Sequence, residues 1–132
     1  MKQRAVLIDP ELRSIVVLQI DVTLDAIHEQ IGPNLDSFAL AEFDYSFDHA
    51  WVDDMGLTNG PVYAFLLSNR HDPIAGRCLI VGVDRETRDR ANALIPIGFL
   101  RANIEWLGKI KPEVTWDQNG PVTRSIVTYS KV

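Results

Sequence analysis

The chain has 132 residues, 46% of them hydrophobic and 23% charged, with a formal net charge of −5 and a single cysteine, Cys78. That length suits one domain over 1–132, large enough to bury a core without a disulfide or metal, and the composition is that of a globular chain rather than a disordered one. One cysteine excludes an internal disulfide, no run approaches the roughly 20 apolar residues of a membrane span, and the start (Met1–Arg13) lacks a signal-peptide core, so the expected location is cytoplasmic.

Arg4–Asp9 reads as a short apolar strand. A turn follows, in which Asp9 can bond the backbone ahead of it and Pro10 presets φ. Ser14–Ile20 is β-branched and apolar on both faces, which predicts a central strand. Leu24, Ile27 and Ile31 form one helical stripe, capped by Asp21 or Thr23 and stopped by Gly32-Pro33.

Leu35–Phe43 alternates as a strand, and Phe47–Val52 is a weaker one. Asp53–Leu57 reads as a tight turn with Gly56 at positive φ. Residues 61–68 fit a helix opened by Pro61 or a strand, and propensity does not decide between them. Arg77–Val83 is the clearest strand, with Cys78 a core residue. A polar turn, Asp84–Asp89, leads to a return strand, Arg90–Leu94. Pro96 opens a predicted helix with the stripe Ile97, Leu100, Ile104 and Leu107, ending at Gly108. The tail predicts a hairpin, Val114–Trp116 against Val122–Tyr129. The resulting fold class is α+β: an antiparallel or mixed sheet of about five to seven strands with two main helices packed on it.

The order Trp51-Val52-Asp53-Asp54-Met55-Gly56-Leu57, then Pro73–Asp84 with its Ile74-Ala75-Gly76 and Gly82-Val83-Asp84, then Glu86-Thr87, resembles a family of small proteins carried by phages, plasmids and bacterial genomes, a domain of unknown function. The likeness covers about residues 4–94. It departs at Arg88, where the family favours glycine, and 95–132 has no counterpart. It implies an origin on a mobile element and carries no mechanism.

Charge is uneven. Residues 1–60 hold eleven acids against three bases (−8), and residues 61–132 hold seven against ten (+3). Asp36, Glu42, Asp44, Asp48, Asp53 and Asp54 flank Phe38, Phe43, Tyr45, Phe47 and Trp51. Aromatic anchors ringed by charge form one candidate surface for a host protein; alternation along two strands accounts for the same pattern. Arg85, Arg88 and Arg90, with Arg70 and Arg77, form the candidate contacts for a small nucleotide-like anion. Trp106 or Trp116 near the arginines would add a stacking surface for nucleic acid, but Glu86 and Asp89 are interleaved and favour a salt-bridged turn.

No catalytic set stands out. Ser68, His71 and Asp72 have the letters of a hydrolase but no elbow. Neither Asp48 and His49 beside the Asp53-Asp54 pair nor His28, His49, His71 and Cys78 have metal-ligand spacing, and no glycine-rich phosphate loop is present, so no metal or cofactor is expected. The leading reading is a non-enzymatic accessory protein that binds a host macromolecule. The alternatives are a module for a nucleotide-like anion and a hydrolase at His71 and Asp72. Composition leaves a homo-oligomer open and gives no reason to expect a membrane partner.

Overall fold

A computed structural model describes all residues except Met1, Ala41, Glu42, Asp44, Asn59, Asn69 and 118–123, together with the side chains of Ser46, Asp117 and 124–126 where only the backbone is described. In chain order the elements are β1 (Gln3–Asp9), β2 (Ser14–Ile20), α1 (Leu24–Ile31), β3 (Leu35–Leu40), β4 (Tyr45–Asp53), β5 (Val62–Leu67), β6 (Ile74–Ala75), β7 (Cys78–Val83), β8 (Arg90–Ala91), α2 (Ile97–Asn103), β9 (Ile104–Asp117) and β10 (Arg124–Lys131). Among the described residues the molecule is therefore mostly β, with two short α-helices. Its strands form two antiparallel sheets, not the single sheet of five to seven strands expected. The first has the order β2-β1-β7-β4-β3, with β8 beside the end of β7, and the second the order β10-β9-β5-β6.

β7 is the centre of the first sheet, as its apolar run predicts. Cys78, Leu79, Ile80 and Val81 are fully buried, because both faces of the sheet are covered. On the inner face, Val6, Ile8, Leu40, Ala50, Cys78 and Ile80 pack against Phe65, Leu67 and Ile74 of the second sheet and against Ile95 and Leu100. On the outer face, Ala5, Leu79 and Val81 pack with Val22 and with Ile27 of α1, joined by Ile31, Leu35 and Trp51. Complete burial of Cys78 pushes its thiol up to about 12.

Several local readings hold. Asp9 Oδ1 accepts the Glu11 N–H at 3.0 Å, closing the first hairpin. Thr23, not Asp21, caps α1, its hydroxyl accepting the Ala26 N–H at 3.1 Å, and Gly32 ends the helix at φ +131°.

Others are corrected. β2 is an edge strand, because β1 sits between it and β7. Of the two readings left open for 61–68, the strand holds over 62–67, since both β6 and β9 pair with it. Gly56 does not adopt positive φ. Its lack of a side chain serves packing, since a Cβ there would lie 3.0 Å from the Cβ and carbonyl oxygen of Ala75. The return strand stops at Ala91, because the chain turns inward over Gly82.

The second helix stops at Asn103, whose side-chain amide donates to the Phe99 carbonyl at 2.8 Å and competes with the helical ladder. From Ile104 the chain pairs with β5, with a register shift opposite Ala64 and Phe65 where Gly108 takes φ +69°. The tail hairpin is present and longer than expected, pairing Ile110–Asp117 with Arg124–Lys131. Its predicted turn lies outside the described residues. Among the described residues, no helix is long and apolar enough to cross a membrane.

Candidate functional site

The chemistry gathers where β4, β7 and the turn after β7 meet. Asp84 opens that turn. Its carboxylate accepts the backbone N–H groups of Glu86 and Thr87, both at 2.9 Å, and these bonds hold its pKa below the ordinary carboxylate value. The Arg88 N–H donates to the Asp84 carbonyl at 3.0 Å. Arg88 itself takes φ +64°, a left-handed conformation that glycine suits better than arginine. Tight turn geometry thus aims two guanidiniums at one place.

That place is the Phe47 ring. The Arg85 guanidinium carbon lies 5.1 Å from the ring centroid and that of Arg88 lies 5.5 Å from it. Arg90 lies 6.0 Å from the Trp51 ring, two positions further along the same face of β4. Such contacts contribute roughly 0.5–2 kcal/mol each, depending on how dry they are. The salt-bridged turn anticipated from the interleaved acids does not form: among the described residues, no ion pair joins Arg85, Arg88 or Arg90 to Glu86 or Asp89. Nor do Trp106 and Trp116 supply the aromatic partner.

Beside these rings lies a cleft of about 550 Å³, lined by Tyr45, Phe47, Val83, Arg85, Asn92 and Leu94, with Asp84 and Ala91 at its edge. Small-ligand sites commonly measure roughly 300–1,000 Å³ and combine apolar walls with a few polar groups. Here the apolar walls come from Tyr45, Phe47, Val83 and Leu94 and the positive charge from Arg85, while Arg88 contacts the same Phe47 ring without lining the cleft.

The far wall is held by a buried carboxylate. Asp48 is 1% exposed. Its Oδ2 accepts the Leu94 N–H at 2.9 Å and the Ile95 N–H at 2.7 Å. Burial is the largest influence on this carboxyl and raises its pKa; the two N–H donors and the Arg4 charge act the other way. The Arg4 guanidinium donates to the carbonyls of Ala93 at 2.8 Å and Ile95 at 3.0 Å. Gly82 completes the arrangement, since a Cβ there would run into the Asn92 carbonyl. Asp48 is therefore a strut of the cleft and not part of an exposed acidic surface.

The other candidates fall elsewhere. Arg77 pairs with Asp9, Nε to Oδ2 at 3.4 Å. Arg70 stacks on Phe38 at 3.9 Å, in a smaller cleft of about 180 Å³ that it shares with Asp36, Asp53, Asp54 and Asp72. Asp53 Oδ1 accepts the Met55 N–H at 2.9 Å and so shapes the turn. Asp44 lies outside the described residues. The Ser68 hydroxyl donates to the Asn103 carbonyl at 3.3 Å, and no hydrogen bond joins Ser68, His71 and Asp72 among the described residues. Among those residues, no group of three or more His, Cys, Asp or Glu is placed to hold a metal.

Sequence reasoning named Tyr45 and Phe47 as aromatic anchors but missed Asn92 and Leu94 as cleft residues. The alternation of Phe47 and Trp51 was the available signal, but only the register of β4 on β7, Asp48 opposite Gly82, brings that face to the arginines. Compared with protein-family models, curated proteins and solved structures, the chain matches none.

Proposed function

We propose that the protein acts by binding, and that it takes a nucleotide-like anion in the Phe47 cleft. The observation that carries this is the pair Arg85 and Arg88, which face Phe47 instead of the neighbouring acids. A ring that already stacks cations offers a surface for a base, and two guanidiniums with no carboxylate partner among the described residues offer hydrogen-bond donors to a phosphate. The Asp84 carboxylate, engaged by two backbone N–H groups, opposes an anion less than a free carboxylate would. The acidic half is the weaker recognition surface, because Asp48 is buried and Asp53 is used in its turn. A binding role of this kind suits the mobile-element origin that the resemblance implies.

Thermal melting with AMP, ADP, adenosine and pyrophosphate, each at millimolar concentration, tests the reading. A ligand at ten to a hundred times its Kd stabilises by about 1.4–2.7 kcal/mol. The nucleotides should raise Tm and adenosine should do so less; Phe47→Ala should reduce the rise and Arg85→Glu should abolish it. Equal melting with and without every nucleotide would refute the reading.

A further inference from the structure

A second cleft lies where α2 meets the start of β2 and of β9. It measures about 360 Å³ and is lined by Arg13, Ser14, Ile15, Arg101, Ile104 and Trp106. No carboxylate is among these residues, whereas the Phe47 cleft has Asp84 at its edge. Two guanidiniums therefore share one concave space with nothing acidic in its walls.

Three parts of the chain bring these groups together. The first hairpin turn ends on Arg13 at φ +51°. Asp9 fixes that turn, its Oδ1 accepting the Glu11 N–H at 3.0 Å and the Leu12 N–H at 3.3 Å. From there the Arg13 guanidinium reaches across to β9, where a Cβ on Gly108 would lie 3.9 Å from Nη2. Arg101 comes from the last turn of α2, which packs on β2. Trp106 meets the fully buried Phe65 edge-on, with ring centroids 6.1 Å apart and planes at 62°. Ile15, Ile104 and Trp106 are half-buried against the inner core and form an apolar floor. Among the described residues, neither arginine has a carboxylate partner, and Glu105 lines a different cleft, with Leu66 and Arg70. Like charges held in one cleft repel each other, and an anion between them removes that cost.

We infer that this cleft binds a small organic anion: one carboxylate or phosphate held by Arg13 and Arg101, on a compact apolar body that rests on Ile15, Ile104 and Trp106. The guanidinium fork matches either oxyanion in geometry. A nucleotide fits less well, because Ser14 supplies the one hydroxyl in the lining and a ribose would lose water without gaining partners. The site stands apart from the nucleotide reading, since the two clefts share no residue.

A ¹H–¹⁵N NMR titration of the full chain with benzoate, phenyl phosphate, phenol, inorganic phosphate and AMP tests it, each up to about 10 mM, a range that detects fragment-sized ligands. Benzoate or phenyl phosphate should move the amides of residues 13–15 and 101–106 saturably, and the tighter of the two names the headgroup. Phenol lacks the charge and inorganic phosphate lacks the apolar body, so each should bind at least about tenfold more weakly. AMP should leave these amides in place, whatever it does at Phe47. Arg101→Ala and Arg13→Gly should each weaken binding about tenfold or more. Both arginines are exposed and glycine suits the backbone at residue 13, so each variant should keep the wild-type amide pattern elsewhere, and either one alone suffices for the test. No saturable shift at these amides with either organic anion, equal binding of phenol, inorganic phosphate or AMP there, or binding indifferent to both substitutions would each overturn the proposal.

Discussion

Replacing Asp48 with alanine removes the one acceptor that holds the backbone at residues 94 and 95 in place. Two N–H groups, at 2.9 and 2.7 Å from Oδ2, lose their partner inside the protein. An orphaned buried donor costs about 1–3 kcal/mol, so the gross loss is about 2–6 kcal/mol, lessened by no longer burying a carboxylate. With a urea m-value of about 1–3 kcal/mol/M, a net loss of about 2 kcal/mol or more lowers the midpoint by about 1 M. Asp48→Asn keeps one acceptor oxygen but turns an NH₂ toward an N–H donor, and should cost about 1–3 kcal/mol. The pH dependence has a definite sign. Because the folded carboxyl has a raised pKa, its protonation favours the fold: that contribution is complete below the unfolded value of 3.8 and is lost as pH rises through the folded one. The wild type should therefore gain on Asp48→Asn as pH falls across that window. Urea titrations at neutral and acidic pH measure both effects. Midpoints for both variants within error of wild type would show that Asp48 is not the strut described.

Gly82→Ala should cost about 3 kcal/mol in the same titration, because the new methyl meets the Asn92 carbonyl while Asp48 and Arg4 keep that segment from moving away. A stable Gly82→Ala would mean that the crossing is looser than described. Cys78 should resist an aromatic disulfide reagent at pH 8 in the folded protein and react with one equivalent after denaturation, since its thiol sits near 12 at full burial. Its linkage enters only as pH climbs from 9.0 toward that value, where ionisation begins to cost stability. Arg88→Gly should change stability by no more than about 1 kcal/mol, because relief of the left-handed strain offsets glycine's entropy and the lost contact with Phe47. The same change removes one of the two guanidiniums at Phe47, so nucleotide affinity should fall while Tm changes little.

Local signals in the sequence survived folding where the cause is local. The Asp9 turn, the Thr23 cap, the Gly32 stop and the doubly apolar β7 depend on neighbouring residues or on burial of both faces, and they appear as read. Readings that depended on distant partners did not survive intact. Ile97, Leu100, Ile104 and Leu107 fit a helical stripe, yet β5 draws Ile104 and Leu107 into a strand. Ser14–Ile20 has the apolar character of a central strand but ends the sheet, because neighbour order is not written in a strand's own residues. Asp48 was read outward from alternation, which does not say which face is inner when both faces are packed. The arginine turn and the aromatic strand β4 were legible separately as rival surfaces; the β4–β7 register makes them one.

The most direct test of the account is a ¹H–¹⁵N NMR titration of the wild type with AMP. The account predicts saturable shifts confined to the amides of residues 45–48 and 83–95, with Arg85 and Arg88 side-chain Nε–H signals moving and the whole response weakening as salt rises. Phe47→Ala should leave the phosphate-linked shifts at Arg85 and reduce affinity by roughly five- to a hundred-fold, the range for loss of one stacked base. A titration that leaves those amides in place, or that moves residues around Arg70 or Arg77 instead, would contradict it.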